Sequence, residues 1–268
     1  MTLVTLLGIL IGAIMGLTGA GGGILAVPVL VAGMHWSMQQ AAPVALIAVA
    51  VGAGVGAIDG FRYRLVRYKA AIVMAISGIP VTRLGQYWAH QLPQYLLLGS
   101  FALLMLMVSV RFYKESQQKQ LTPSEDFLRK VEVSSETGKF IWTPLTALVL
   151  TLIGMLTGLM TGLLGVGGGF LIVPLMKRLT HLTVPGIVAT SLFVITLVGG
   201  GGVVSAMHGG AELPWFETSV FVSSMVGGML MGRRLVHRLQ AWQVQRGFAL
   251  LLFFVSAYML TKAFLSIE

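Results

Sequence analysis

Cysteine is absent from the 268 residues, which excludes disulfides, thiolate metal sites and thiol nucleophiles. Charge is scarce as well. Asp, Glu, Lys and Arg together make 10% of the chain, against about 25% in an ordinary soluble domain. The 9 acidic residues do not cluster in any apolar stretch, so no carboxylate pair for acid–base chemistry is in view. No G-x-S-x-G, H-E-x-x-H or G-x-x-x-x-G-K-[ST] occurs, which sets aside the hydrolase, zinc-protease and P-loop readings. A dinucleotide fingerprint starting at Gly19 needs glycine at position 24, where Ile24 stands, and no strand precedes it. His208 with Glu212, and His181 with His35, offer at most two metal ligands each, fewer than a metal site needs. No cofactor, metal or enzymatic activity is expected.

What the chain has instead is apolar length. Hydrophobic residues reach 56% and the mean hydropathy is +0.87. Uncharged apolar runs such as 39–58, 93–110 and 182–207 can each cross a hydrocarbon core of about 30 Å as a helix. They lack the alternation of a barrel strand, so the spanning structure is helical. The net charge of +9 would suggest nucleic acid in a soluble protein, but here the basic residues sit between apolar segments and set membrane orientation. The lipid bilayer, not nucleic acid, is the expected partner. Residues 1–7 carry no positive charge, so the first apolar segment is expected to be retained rather than cleaved as a signal peptide.

The chain repeats itself at an offset of 146 residues. Gly12, Gly16, Leu17, Gly19, Gly21, Gly22, Gly23, Leu25, Val27 and Pro28 recur without a gap as Gly158, Gly162, Leu163, Gly165, Gly167, Gly168, Gly169, Leu171, Val173 and Pro174. Glycine enrichment of membrane helices does not reproduce a Val-Pro pair at the same spacing. Each copy holds four apolar segments: 3–34, 39–58, 70–89 and 93–112, then 143–176, 183–207, 217–236 and 243–264. The expected division is a first membrane repeat over 1–112, a charged cytoplasmic linker over 113–140 and a second repeat over 141–268, with a short surface helix over 124–131.

Charge bias separates two topologies. If all eight segments cross, the basic residues divide 11 to 7 between the two sides. If 3–34 and 143–176 each fold back at their glycine run, the loops near 65, 125, 178 and 238 share one side and hold 16 basic residues, leaving Arg83 and Lys262 opposite. The second arrangement satisfies the positive-inside rule far better. It gives each copy an odd number of crossings, so the copies must be inverted. The expected fold is therefore an all-α integral membrane protein of two inverted repeats, each opening with a Gly-broken, re-entrant helix, an architecture recurrent in secondary transporters.

Three adjacent glycines destabilise a helix by about 1 kcal/mol each relative to alanine, so unwinding is expected there. Unwound backbone at membrane depth is tolerated only beside protein or a watery cavity. Arms restarting at Ile24 and Phe170 would aim free N–H groups and positive dipole ends at the breaks, with Pro28 and Pro174 on their second turns. These considerations nominate Gly21, Gly22, Gly23, Gly167, Gly168 and Gly169 as anion contacts, with Thr18, Thr190, Ser191 and Arg83 as side-chain candidates. Each has a plainer alternative. Membrane hydroxyls usually bond back to their own helix, Arg83 can snorkel to the interface, and Asp59 reads as interfacial. Gly12 with Gly16, and Gly158 with Gly162, have the spacing of close helix packing.

The paired pattern Gly12-x3-Gly16-x2-Gly19-x-Gly21-Gly22-Gly23-x3-Val27-Pro28 and Gly158-x3-Gly162-x2-Gly165-x-Gly167-Gly168-Gly169-x3-Val173-Pro174 resembles the TauE/SafE sulfite exporter family. Ala189-Thr190-Ser191-Leu192, the run Gly227-Gly228-xxx-Gly232 and residues 234–239 agree with it. The resemblance implies a multi-pass transporter of the bacterial plasma (inner) membrane, exporting sulfite or a small organosulfur anion, with a homo-oligomer left open. One departure stands out: Val44-Ala45 occupies the place of Thr190-Ser191 in the first copy. An anion channel, and a membrane-embedded enzyme or assembly factor of sulfur metabolism, are the alternatives at this stage.

Overall fold

A computed structural model describes residues 2–117, 142–180, 182–210, 213–236 and 240–265. Its regular elements are helices: α1 Thr2–Thr18, a 3-10 segment Gly19–Leu25, α2 Ala26–Gly33, α3 Met38–Arg62, α4 Tyr68–Gln91, α5 Gln94–Gln117, α6 Pro144–Leu164, α7 Gly169–Leu179, α8 Val184–His208, α9 Trp215–Val236 and α10 Ala241–Leu265. The eight apolar segments thus appear in order, with the first of each copy divided in two. Five helices are long and apolar enough to cross a membrane, namely α3, α5, α6, α8 and residues 242–265 of α10. The chain is a multi-pass membrane protein. α5 runs on to Gln117, so the first residues of the expected linker are helical. The short helix expected over 124–131, together with His181 and Glu212, lies outside the described residues.

Local chemistry explains several boundaries. Ser37 accepts from the Gln40 backbone while the Gln40 side chain accepts from the Ser37 N–H, a reciprocal capping box that starts α3. Thr143 caps α6 ahead of Pro144, whose fixed φ suits the first helical position. α6 ends where Gly165 turns left-handed at φ 70°, a conformation glycine adopts without strain.

The two broken segments differ from the expectation and from each other. The first does not fray at its glycines. It tightens into seven residues of 3-10 helix, so its amides are engaged in the turn rather than free. α2 then begins at Ala26, not Ile24, which puts Pro28 in the first turn, where its missing N–H matters little. The second break is an open turn over 165–168, and α7 begins at Gly169, one residue before the expected Phe170. α6 has 21 residues and rises about 31 Å, so this arm is long enough to cross a membrane.

Packing pairs elements from opposite halves. α1 runs along α9 and α6 along α4, while α5 pairs with α10 and α3 with α8. At the first two crossings backbone touches backbone. A Cβ on Gly12 would stand 1.9 Å from the Met225 carbonyl oxygen, and one on Gly158 would stand 2.1 Å from that of Gly78. The small-xxx-small pairs are packing glycines, as their spacing implies. Ser109 donates to the Ala249 carbonyl at 2.7 Å and Phe112 meets Phe248 edge-on, joining α5 to α10.

Contacts between helix ends sort the loops. Arg67 N–H donates to Thr190 Oγ1, Arg233 pairs with Asp59, and Lys177 lies 3.7 Å from Glu115. These join the loop near 65, the starts of α4 and α8 and the ends of α3, α5, α7 and α9 at one end of the bundle, hereafter the basic end. At the opposite end, Lys262 donates to the Val31 carbonyl, and a Cβ on Gly33 would stand 2.5 Å from the Leu7 side chain. α2 therefore returns toward the end from which α1 departs, and α7 returns to the basic end.

Candidate functional site

The two broken segments enter from opposite ends and meet at the middle of the α3–α8 pair. Positions for a Cβ on Gly23 and on Gly167 lie 2.9 and 2.8 Å from the same atom, Cγ1 of Val49. Ile195, which follows Val49 by the repeat offset, flanks Gly167 as well. Both glycine runs are buried. Their close approach at a β-branched residue explains why glycine is needed there: a side chain at either place would separate the tips.

A cavity of about 900 Å³ opens from the end opposite the basic one. Its wall comes from the start of α3 (Gln39, Gln40), the later half of α4 (Arg83, Gln86), the end of α6 (Thr161, Gly165) and the end of α8. Among its described lining residues Arg83 is the one permanent cation and Glu217 the one carboxylate. The Arg83 side chain is exposed and makes no hydrogen bond or ion pair with any described residue. A guanidinium without a carboxylate partner among the described residues, on the wall of a cavity, keeps its donors available to an anion. Gln86 is held in place by its Nε2 donating to the Gly202 carbonyl at 2.8 Å.

The candidate residues fall into three groups. Arg83 lines the cavity, and Gly167, Gly168 and Gly169 lie just behind its wall, reached through Thr161 and Gly165. Thr18 stands beside Gly22, while Thr190 and Ser191 lie at the basic end with Arg67. These three hydroxyls donate within their own helices: Thr18 to Ile14, Thr190 to Gly186 and Ser191 to Val188. Thr190 still accepts from Arg67. The ten candidates therefore do not converge on one point.

At the basic end the space corresponding to the cavity by the repeat offset is filled. Met15 and Met229 close on Gly52, and Leu192 with Met229 close on Gly56. Arg233 seals the plug from the basic side, pairing with Asp59 and donating to the Gly56 carbonyl at 3.2 Å. Sequence reasoning missed this pair, reading Asp59 as merely interfacial. It also missed Gln39, Gln40 and Gln86, uncharged polar residues at the ends of apolar runs. Among the described residues no three His, Cys, Asp or Glu side chains group to hold a metal.

A bundle of membrane-crossing helices with paired interruptions, open at one end and sealed at the other, defines a multi-pass membrane transporter. The chain belongs to the sulfite exporter TauE/SafE family, whose sequence model matches residues 4–259. It is similar to the probable membrane transporter protein YunE of Bacillus subtilis, at 25% identity over 89% of each chain. A probable membrane transporter protein of Xylella fastidiosa is 26% identical over 96% of this chain and 94% of its own length. The probable membrane transporter protein MJ0441 of Methanocaldococcus jannaschii is 23% identical over 78% of this chain and 73% of its own. No solved structure matches the chain.

Proposed function

We propose that the protein is a secondary transporter of a small sulfur oxyanion, sulfite or a small organosulfonate, in the plasma membrane of a bacterium. The observation that carries this reading is the cavity with Arg83 as the one permanent cation among its described lining residues, without an ion-pair partner among them, ending against the second glycine break. A site with donors and a free guanidinium favours an anion over a cation or a neutral solute. Arg83 is the entry contact, and Gly167, Gly168 and Gly169, then Gly21, Gly22 and Gly23, with Thr18, Thr190 and Ser191, mark the route to the other face.

The same reading makes 1–112 and 141–268 inverted repeats related by an axis in the membrane plane, with 113–140 as the cytoplasmic linker and both termini outside. The exchange of partners supports it: α1 on α9 corresponds by the offset to α6 on α4. The gathering of the loop near 65 with the ends of α5, α7 and α9 supports the positive side being cytoplasmic. The structure then corresponds to an outward-open state. Exchanging the two ends, by opening the Met15–Met229–Leu192 plug and closing the cavity, gives the inward-open state and alternating access. A plug on one side is what separates a carrier from an open anion channel.

Purified protein in proteoliposomes, tested for influx of sulfite, methanesulfonate and sulfate with a neutral sugar and a monovalent cation as controls, examines this directly. Saturable uptake of at least one sulfur oxyanion above protein-free liposomes is expected. Uptake of none, or equal uptake of the neutral sugar, contradicts the assignment.

A further inference from the structure

We propose that the oxyanion is seated at one break, not at both: the Thr157 hydroxyl and the backbone N–H groups of Gly167, Gly169 and Phe170 hold it out of water, while the first break is an apolar counterpart without a seat. This rests on the transport reading above and narrows it to a site.

Thr157 is the first observation. It is 0% exposed, and its Oγ1 has no hydrogen-bond partner among the described residues. The buried hydroxyls of Thr82, Thr161, Thr180 and Thr190 all donate to the carbonyl four residues back, the usual solution in a membrane helix. Thr157 does not. Its side chain abuts the second break, with the methyl Cγ2 2.2 Å from where a Cβ on Gly168 would stand, and the hydroxyl is carried on the Cβ next to that methyl.

The backbone supplies the second observation. Leu171 and Ile172 donate to the Gly168 carbonyl and Gly168 to that of Val166, but no acceptor among the described residues serves the N–H of Gly167, Gly169 or Phe170. All three residues are buried. A buried donor left without a partner is costly, and here three lie beside a fourth, at the positive end of the 11-residue helix α7. The groups nearest the Cβ positions of Gly167 and Gly168 are Val49, Ile195, Thr157 and Thr161, none of them a carboxylate. Donors without a competing acceptor suit the acceptor-only oxygens of a small oxyanion.

The first break lacks each of these features. By the repeat offset Ile11 stands where Thr157 does, and Met15 where Thr161 does, both buried and apolar. Its backbone is wound into the 3-10 segment, so its amides are engaged. Access agrees with the asymmetry, since Thr161, Gly162 and Gly165 line the cavity and Thr161 Oγ1 stands 3.2 Å from the Cβ position of Gly168. Thr161 therefore stands between the cavity and the seat.

Binding of radiolabelled sulfite and of methanesulfonate to the full-length protein in nanodiscs, at fixed ionic strength, tests the proposal. Wild type is expected to bind one anion per chain. Thr157→Val, which keeps shape and removes the hydroxyl, weakens that affinity about tenfold or more, and Thr157→Ser restores it to within about threefold. Two equivalent anions per chain, or unchanged affinity in Thr157→Val, overturns the single seat while leaving transport standing. Binding of neither probe by wild type overturns the seat and the transport reading together.

Discussion

Asp59→Asn removes the charge that Arg233 engages at the basic end while keeping the size of the side chain. The ion pair joins α3 to α9, and Arg233 also donates to the Gly56 carbonyl, so the substitution loosens the plug without cutting every tie. The side chains are 27% exposed at Arg233 and 45% at Asp59, which places the pair among solvent-screened ones worth up to about 1 kcal/mol. The carbonyl contact survives in the variant. If the pair forms only when the plug is shut, losing about 1 kcal/mol raises the inward-open population about fivefold. Leu192 is 2% exposed within the plug, and in this cysteine-free chain Leu192→Cys provides a single reactive thiol, compared with and without Asp59→Asn. Its labelling by an impermeant maleimide in inside-out vesicles follows the open fraction. The rate is expected to rise about threefold to fivefold in Asp59→Asn, with Leu46→Cys, on the cavity wall, labelled no faster from outside. An unchanged Leu192→Cys rate, or equal acceleration at both positions, refutes the latch.

Other substitutions test separate parts of the structure. Arg83→Gln is expected to raise the half-saturating concentration of external anion about threefold to tenfold, the loss of roughly 1 kcal/mol of charge attraction in a wet cavity, with Arg83→Lys largely retaining uptake; equal kinetics in all three proteins remove Arg83 from the entry site. Gly158→Ala places a methyl group 2.1 Å from the Gly78 carbonyl oxygen and must push α6 from α4, costing about 1–3 kcal/mol. Gly99→Ala, with nothing within 4 Å, is the matched control, and thermal unfolding in detergent separates the two. Ser109→Ala removes the hydrogen bond that ties α5 to the Ala249 carbonyl of α10 and lowers stability by about 1 kcal/mol. A cysteine at Gln117, the last residue of α5, is expected to react from the cytoplasmic face only; labelling in intact cells contradicts the orientation.

The repeat and the eight segments were legible because glycine, proline and uncharged length are local signals. The glycine triplets correctly marked interruptions, but identical triplets do not take identical backbones. Around Gly22 the Met15 backbone approaches within 2.4 Å of the Cβ position, and the chain winds tightly. Around Gly168 the neighbours are Thr157 and Thr161, and the turn stays open, with φ 35° at Gly167 and 62° at Gly168. That difference arises from packing across the helix pair, which the triplet alone does not encode. A position-by-position comparison of the copies contains the clue, since Ile11 and Met15 replace Thr157 and Thr161. The pairing of Asp59 with Arg233, 174 residues apart, depends on tertiary placement and left no local trace. For the same reason Gly22→Val and Gly168→Val are poor probes of a site: each collides with its own neighbours and disturbs the fold first.

Exchange across a membrane tests alternating access most directly. Proteoliposomes carrying the protein and loaded with unlabelled sulfite should take up external radiolabelled sulfite faster than empty ones, because a loaded carrier returns more readily than an empty one. Trans-stimulation that saturates, and that is lost in Thr157→Val while the variant still inserts, is the predicted result. Flux that grows linearly with concentration and ignores the internal anion contradicts the carrier and leaves a passive pore in its place.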